Sequence, residues 1–128
     1  RGGESKYKFK QNNQIEIGKS EILKEGKDLS IIAIGKMVAR AMQVADQLSK
    51  IGIDAEVINA RFLKPLDTVN IKKSIEKTLN IVTIEDGTII NGLGTAIKEL
   101  IVDEKIPIKN INVHPDTISY PDVHNSGL

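Results

Sequence analysis

Leu29-Ser30-Ile31-Ile32-Ala33-Ile34-Gly35 is an almost continuous aliphatic run closed by a glycine. Apolar residues at odd and even positions alike bury both faces of a strand, as a parallel sheet requires. Immediately after it, Met37, Val38, Ala41, Val44, Ala45 and Leu48 recur at intervals of three and four, with Arg40, Gln43, Asp46 and Gln47 between them. That spacing is an amphipathic helix, and Gly52 is placed to end it. Ala55 to Ala60, carrying Val57 and Ile58, then predicts a second strand. Strand, helix and strand in this order make a parallel crossover unit.

The same alternation continues towards the C-terminus. Asp67 or Thr68 can cap a helix whose Ile71, Ile75 and Leu79 share one face. Ile81 to Ile84 predicts a third strand, and Leu93, Ala96, Ile97, Leu100 and Ile101 a third helix. Ile108 to Val113, after Pro107, predicts a further strand. On the N-terminal side, Ile15 to Leu23 is an extended segment or a short edge strand, followed by the polar turn Lys24-Glu25-Gly26-Lys27. Residues 1–15 hold only Tyr7 and Phe9 as large apolar side chains and are expected to be an interdomain linker or arm, with 16–128 as the folded domain. The expected fold class is α/β: a three-layer α/β/α arrangement on a mostly parallel, five-stranded sheet.

Composition removes several functional classes. The chain has 128 residues, enough for one core that buries roughly two-thirds of the unfolded surface. Its formal net charge of +1 gives no field to attract nucleic acid or an anionic membrane. With no cysteine there is no disulfide, thiol nucleophile or thiolate metal site. Two Phe, two Tyr and no Trp leave little surface for stacking bases or sugars. No run reaches the roughly 18 apolar residues of a membrane span, and no signal peptide is visible, so the expected location is the cytoplasm, or a plastid-type organelle in a eukaryote. A first residue Arg in place of Met is read as a chain that begins partway through a longer protein.

Four places could carry chemistry. Gly92-Leu93-Gly94 opens a helix after a strand, where free N–H groups and the helix dipole hold phosphates. It lacks the third glycine and the later acidic residue of a dinucleotide fingerprint, so its glycines are read as allowing close helix–sheet packing. Glu85-Asp86-Gly87 ends a strand at the edge where open α/β sheets bind ligands, yet adjacent strand positions face opposite ways. Two adjacent carboxylates can bind a cation or serve as acid and base, but a structural role, capping a neighbouring element or pairing across an interface, is expected for Glu85 and Asp86. His114, placed just after the last strand, and His124 have neither a serine elbow nor a helical His partner, so no catalytic residue and no metal ligand is assigned. In Arg61-Phe62-Leu63-Lys64-Pro65-Leu66-Asp67, Pro65 restrains Lys64, Leu66 is directed inward and Asp67 is placed to cap the next helix. This segment is either a rigid strand-to-helix connection or a clamp for phosphate or carboxylate.

Val57-Ile58-Asn59-Ala60-Arg61-Phe62-Leu63-Lys64-Pro65-Leu66-Asp67 resembles the C-terminal-domain signature of the 1-deoxy-D-xylulose-5-phosphate synthase family, thiamine-diphosphate enzymes of the transketolase superfamily. Ile81-Val82-Thr83-Ile84-Glu85-Asp86-Gly87 with Asn91-Gly92-Leu93-Gly94-Thr95-Ala96-Ile97 is similar to its next block, and Ile17-Gly18-Lys19-Ser20 with Glu25-Gly26-Lys27 also fits. Resemblance implies a full-length homodimeric transferase with thiamine diphosphate and Mg2+ in two upstream domains and with pyruvate and glyceraldehyde 3-phosphate as substrates. The present chain would be its non-catalytic third domain. Arg1-Gly2 resembles the end of a Pro-Arg-Gly motif, which would make Arg1 a binder of the acceptor phosphate. Arg61, Lys64, Pro65, Asp67, Glu85, Gly92 and Gly94 would be structural or interface residues. Tyr120-Pro121-Asp122 resembles the family's Tyr-Pro-Asp, after which the tail is shorter than the pattern. Transketolase, the β subunits of 2-oxoacid dehydrogenases and a stand-alone α/β binding domain are the alternatives.

Overall fold

The computed structural model describes residues 16–85 and 92–115. Along them run β1 (Glu21–Lys24), β2 (Leu29–Ala33), a 3-10 turn (Gly35–Met37), α1 (Val38–Ser49), β3 (Ala55–Asn59), α2 (Thr68–Thr78), β4 (Asn80–Glu85), α3 (Leu93–Glu104) and β5 (Asn110–Pro115). The strands form one five-stranded sheet in the order β1-β3-β2-β4-β5. β3, β2, β4 and β5 run parallel to their neighbours, and β1 pairs antiparallel with β3 through an irregularity between Ile22 and Lys24.

Strand order explains the layers. From β2 the chain crosses to β3 on one side and then returns past β2 to β4, so right-handed crossovers must place α1 on one face and α2 and α3 on the other. The core divides accordingly. Ala41, Val44, Ala45 and Leu48 of α1 cover Leu29, Ile31, Val57 and Ile84. Ile71 and Ile75 of α2, with Ile97 and Leu100 of α3, cover Ile32, Ile58 and Ile81. Every β2 residue is buried, Ser30 included, the condition its almost continuous aliphatic run predicts.

Two boundaries differ from the expectations. A 3-10 turn precedes α1, because Gly35 takes a left-handed φ of 65° and Met37 N–H bonds to the Ile34 carbonyl. The last strand starts later and runs further than its hydropathy predicts. Ile106 and Ile108 pack into the core ahead of it, while His114 and Pro115 stay within β5, in register with Ile84 and Glu85. A proline is admissible there because β5 is an edge strand. His114 therefore lies in the strand rather than after it.

Buried polar groups link the layers and leave no hydropathy signal. Ser30 Oγ on β2 lies 2.7 Å from both Ser74 Oγ and Thr78 Oγ1 of α2. Glu56 on β3, 1% exposed, accepts from Gly26 N–H at 3.1 Å and from the Lys77 ammonium. Burial pushes its carboxyl up, but the Lys77, Ser74 and Gly26 donors outweigh that and hold it below the ordinary value.

Candidate functional site at the carboxyl edge of the sheet

The carboxyl ends of β2, β3 and β4 bring Gly35, the segment from Ala60 to Asp67, and Glu85 to one edge of the sheet, where open α/β folds place their sites. Ala60 N–H continues the ladder to the Ala33 carbonyl at 2.9 Å. Arg61 then turns out of the strand with a left-handed φ of 63°, held by a 3.0 Å bond from its N–H to Asn59 Oδ1. Its guanidinium meets a carboxylate, as a clamp would, but one belonging to the fold: Nη2 lies 2.8 Å from Glu21 Oε1 on β1. Gly35, Asn59, Arg61 and Phe62 line an open recess of about 460 Å3 beside this ion pair.

The Lys64–Pro65 peptide bond is cis. Lys64 is exposed and, with Leu63 and Leu66, borders a second recess of about 360 Å3 against Ala96, Glu99 and Leu100 of α3. Leu66 is half-buried against the α2–α3 core. Asp67, 4% exposed, is the N-cap of α2 and accepts from Asn70 N–H at 3.2 Å. Its other oxygen accepts from Asn70 Nδ2 at 2.9 Å and from Ser20 N–H and Oγ at 2.7 and 2.8 Å. Burial raises the Asp67 carboxyl, yet the Ser20 and Asn70 donors together bring it below its ordinary value.

Glu85 ends β4 at 3% exposure. Its two oxygens accept separately from Leu93 N–H at 2.8 Å and Gly94 N–H at 2.9 Å. The carboxylate thus occupies the start of α3, where a phosphate would otherwise bind, and meets the positive end of the helix dipole. Gly92 stands at the N-cap with an ordinary φ of −77°, and Gly94 is buried in the first turn. Arg1, Asp86, Gly87, Asn91, Tyr120 and His124 lie outside the described residues.

The edge therefore gathers Arg61, Asp67 and Glu85, while Lys64 stands apart on the surface. Sequence reading missed their partners Glu21 and Ser20, which lie 40 and 47 positions away with no local signal. Among the described residues no group of three or more His, Cys, Asp or Glu could hold a metal ion. No helix among them is long and apolar enough to cross a membrane.

Since Glu56 and Asp67 both titrate below their ordinary range when folded, the stability they add is complete above the unfolded carboxyl values of roughly 4. It is lost as pH falls through the lower folded values. Urea unfolding followed between about pH 5 and 2 is expected to show a steep acid loss that is shallower in Asp67→Asn.

The sequence matches the family described as the transketolase C-terminal domain over residues 18–127. It is 46% identical over 106 residues to a 1-deoxy-D-xylulose-5-phosphate synthase of Trichormus variabilis, covering 81% of this chain and 16% of that one. The corresponding protein of Desulfotalea psychrophila is 46% identical over 92 residues, 72% of this chain and 14% of the relative. This chain thus spans about one-sixth of the length of such relatives. Among solved structures, a split-gene transketolase in an inactive beta4 tetramer superposes with a TM-score of 0.70 and 39% identity, covering 77% of this chain and 32% of the other. A 2-oxoglutarate:ferredoxin oxidoreductase of Magnetococcus marinus shares the fold at a TM-score of 0.55 and 16% identity, covering 91% of this chain and 21% of the other. With the doubly wound sheet and the matched span that includes both edge motifs, the chain belongs to the transketolase C-terminal domain family.

Proposed function

We propose that this chain is the C-terminal domain of a 1-deoxy-D-xylulose-5-phosphate synthase, a transferase that joins pyruvate to glyceraldehyde 3-phosphate with loss of carbon dioxide. The observation that carries this reading is the 40–46% identity to proteins of that name over most of the chain. Thiamine diphosphate would supply the electron sink for the carbanion chemistry. The described residues do not fit it or its Mg2+: the N–H groups opening α3 are taken by Glu85, and no acidic cluster suits a metal. We assign the cofactor and the acid–base groups, as the resemblance implies, to the preceding part of a longer, homodimeric, cytoplasmic chain, and route no catalytic step through these residues. Residues 1–15 serve as its linker and 16–128 as its third domain.

Of this chain, only Arg1 is assigned to substrate, its guanidinium forking onto the acceptor phosphate. Arg61, Lys64, Pro65, Asp67, Glu85, Gly92 and Gly94 hold the fold and its junctions. A transketolase is the second reading, favoured by the 39% identity to the split-gene protein.

Purified full-length protein is expected to release carbon dioxide from pyruvate only when glyceraldehyde 3-phosphate is present. Arg1→Ala should raise KM for the aldehyde by roughly 10- to 100-fold with little change in KM for pyruvate. Turnover of a ketose phosphate donor in place of pyruvate would establish the transketolase reading instead.

A further inference from the structure

Side chains from one short segment hold residues that precede them by some forty positions. One oxygen of Asp67 is enough to cap α2, and it accepts from Asn70 N–H. The second oxygen receives both donors of Ser20. Arg61, in a backbone conformation unusual for a side-chain-bearing residue, aims its guanidinium at Glu21. Gly18, with φ at +81°, sits so close to Pro65 that an added Cβ would lie 3.1 Å from Pro65 Cγ. Lys19 N–H closes a turn onto the Glu16 carbonyl at 3.1 Å, and Glu21 pairs with Asn59 on the last rung of β3. The chain therefore comes into the domain at the carboxyl edge of the sheet, with Gly18 close to Pro65, Ser20 hydrogen-bonded to Asp67 and Glu21 ion-paired with Arg61. A hinged domain junction has the opposite character, with exposed backbone and few crossing contacts.

We infer that Arg61, Pro65 and Asp67 form a clasp on residues 18–21 that makes the incoming chain and this domain one body at their junction. All three are positioning residues: acting through Glu21, Gly18 and Ser20, they fix the point at which the preceding linker is anchored to the domain. The kinetic consequence rests on the proposed function, because the acceptor phosphate is assigned there to Arg1, upstream of the clasp. The clasp itself rests only on the geometry.

The test uses the full-length protein with Ser20→Ala and Glu21→Gln combined, which leaves the Asn70–Asp67 cap of α2 intact. Amide exchange at residues 19–21 is expected to quicken by about tenfold while Ile31 and Ile32 in β2 stay protected. KM for glyceraldehyde 3-phosphate should rise by about threefold or more, with kcat and KM for pyruvate within about twofold. Asp67→Ala should do the same and also lower the melting temperature. Unchanged exchange at residues 19–21, or faster exchange with an unmoved KM for the aldehyde, overturns the inference. If the unmodified full-length protein does not turn over these substrates, the proposed function fails separately. The clasp is then read from the distance distribution between a label at Lys50→Cys and one in the preceding part: broadening in the double variant supports it, and an unchanged distribution overturns it.

Discussion

Gly26→Ala is expected to lower the unfolding free energy by about 3 kcal/mol or more. The reason is space. A Cβ at this position would stand 2.3 Å from the carbonyl carbon of Ala55 and 2.6 Å from the nitrogen of Glu56. Both are backbone atoms at the start of β3, in register with Leu29 and Ser30 of β2, and cannot rotate away as a side-chain tip can. Moving Gly26 instead would lengthen its bond to Glu56 Oε1 and loosen a buried carboxylate whose remaining partners are on α2. At roughly 4 °C per kcal/mol for a domain of this size, the melting temperature should fall by about 12 °C. Gly52→Ala is the control: its φ of 89° disfavours a side chain, but nothing lies within 4 Å of the added carbon, so the loss should be about 1 kcal/mol. Equal losses for the two variants, measured by urea or thermal unfolding, would contradict the steric explanation.

Glu85→Ala should cost about 3 kcal/mol. It removes a carboxylate that satisfies the N–H groups of Leu93 and Gly94, both buried and both among the orphan donors of a helix start. Glu85→Gln keeps one acceptor and turns an amide N–H2 towards the other donor, so about half of the loss is expected, near 1.5 kcal/mol. An N-cap alone is worth about 1 kcal/mol, so a loss well below that for the alanine variant would mean that the carboxylate does not close α3.

The fold was legible because its informative residues are aliphatic and periodic. Leu29 to Ile34 could only be a doubly buried strand, and the spacing of Ile71 and Ile75 or of Leu93, Ile97 and Leu100 placed the two helices that cover Ile32 and Ile58. Asp67 was legible as a cap because capping is local, with its donor three residues on. What sequence could not disclose was pairing at long range. Glu21 with Arg61, Ser20 with Asp67, and Ser30 with Ser74 and Thr78 are set by strand order, which hydropathy does not encode. The end of β5 was missed for a related reason, since His114 and Pro115 remain in the sheet by pairing with β4 rather than by their own preference.

That long-range pairing also bears on function. Arg61, Asp67 and Glu85, which look like ligand groups along the chain, are in the fold the partner of Glu21 or caps for helix starts, whereas Lys64 is exposed. The sheet edge is used in this way to tie β1 to the segment after β3 and to close the starts of α2 and α3.

The most direct measurement is an NMR titration of this chain with thiamine diphosphate and Mg2+, following the backbone amides of Leu93 and Gly94. With Glu85 seated on both N–H groups, neither signal should move across the titration. A saturable shift of the two amides would mean that the diphosphate displaces the carboxylate, and that the carboxyl edge is a cofactor site rather than a closed joint.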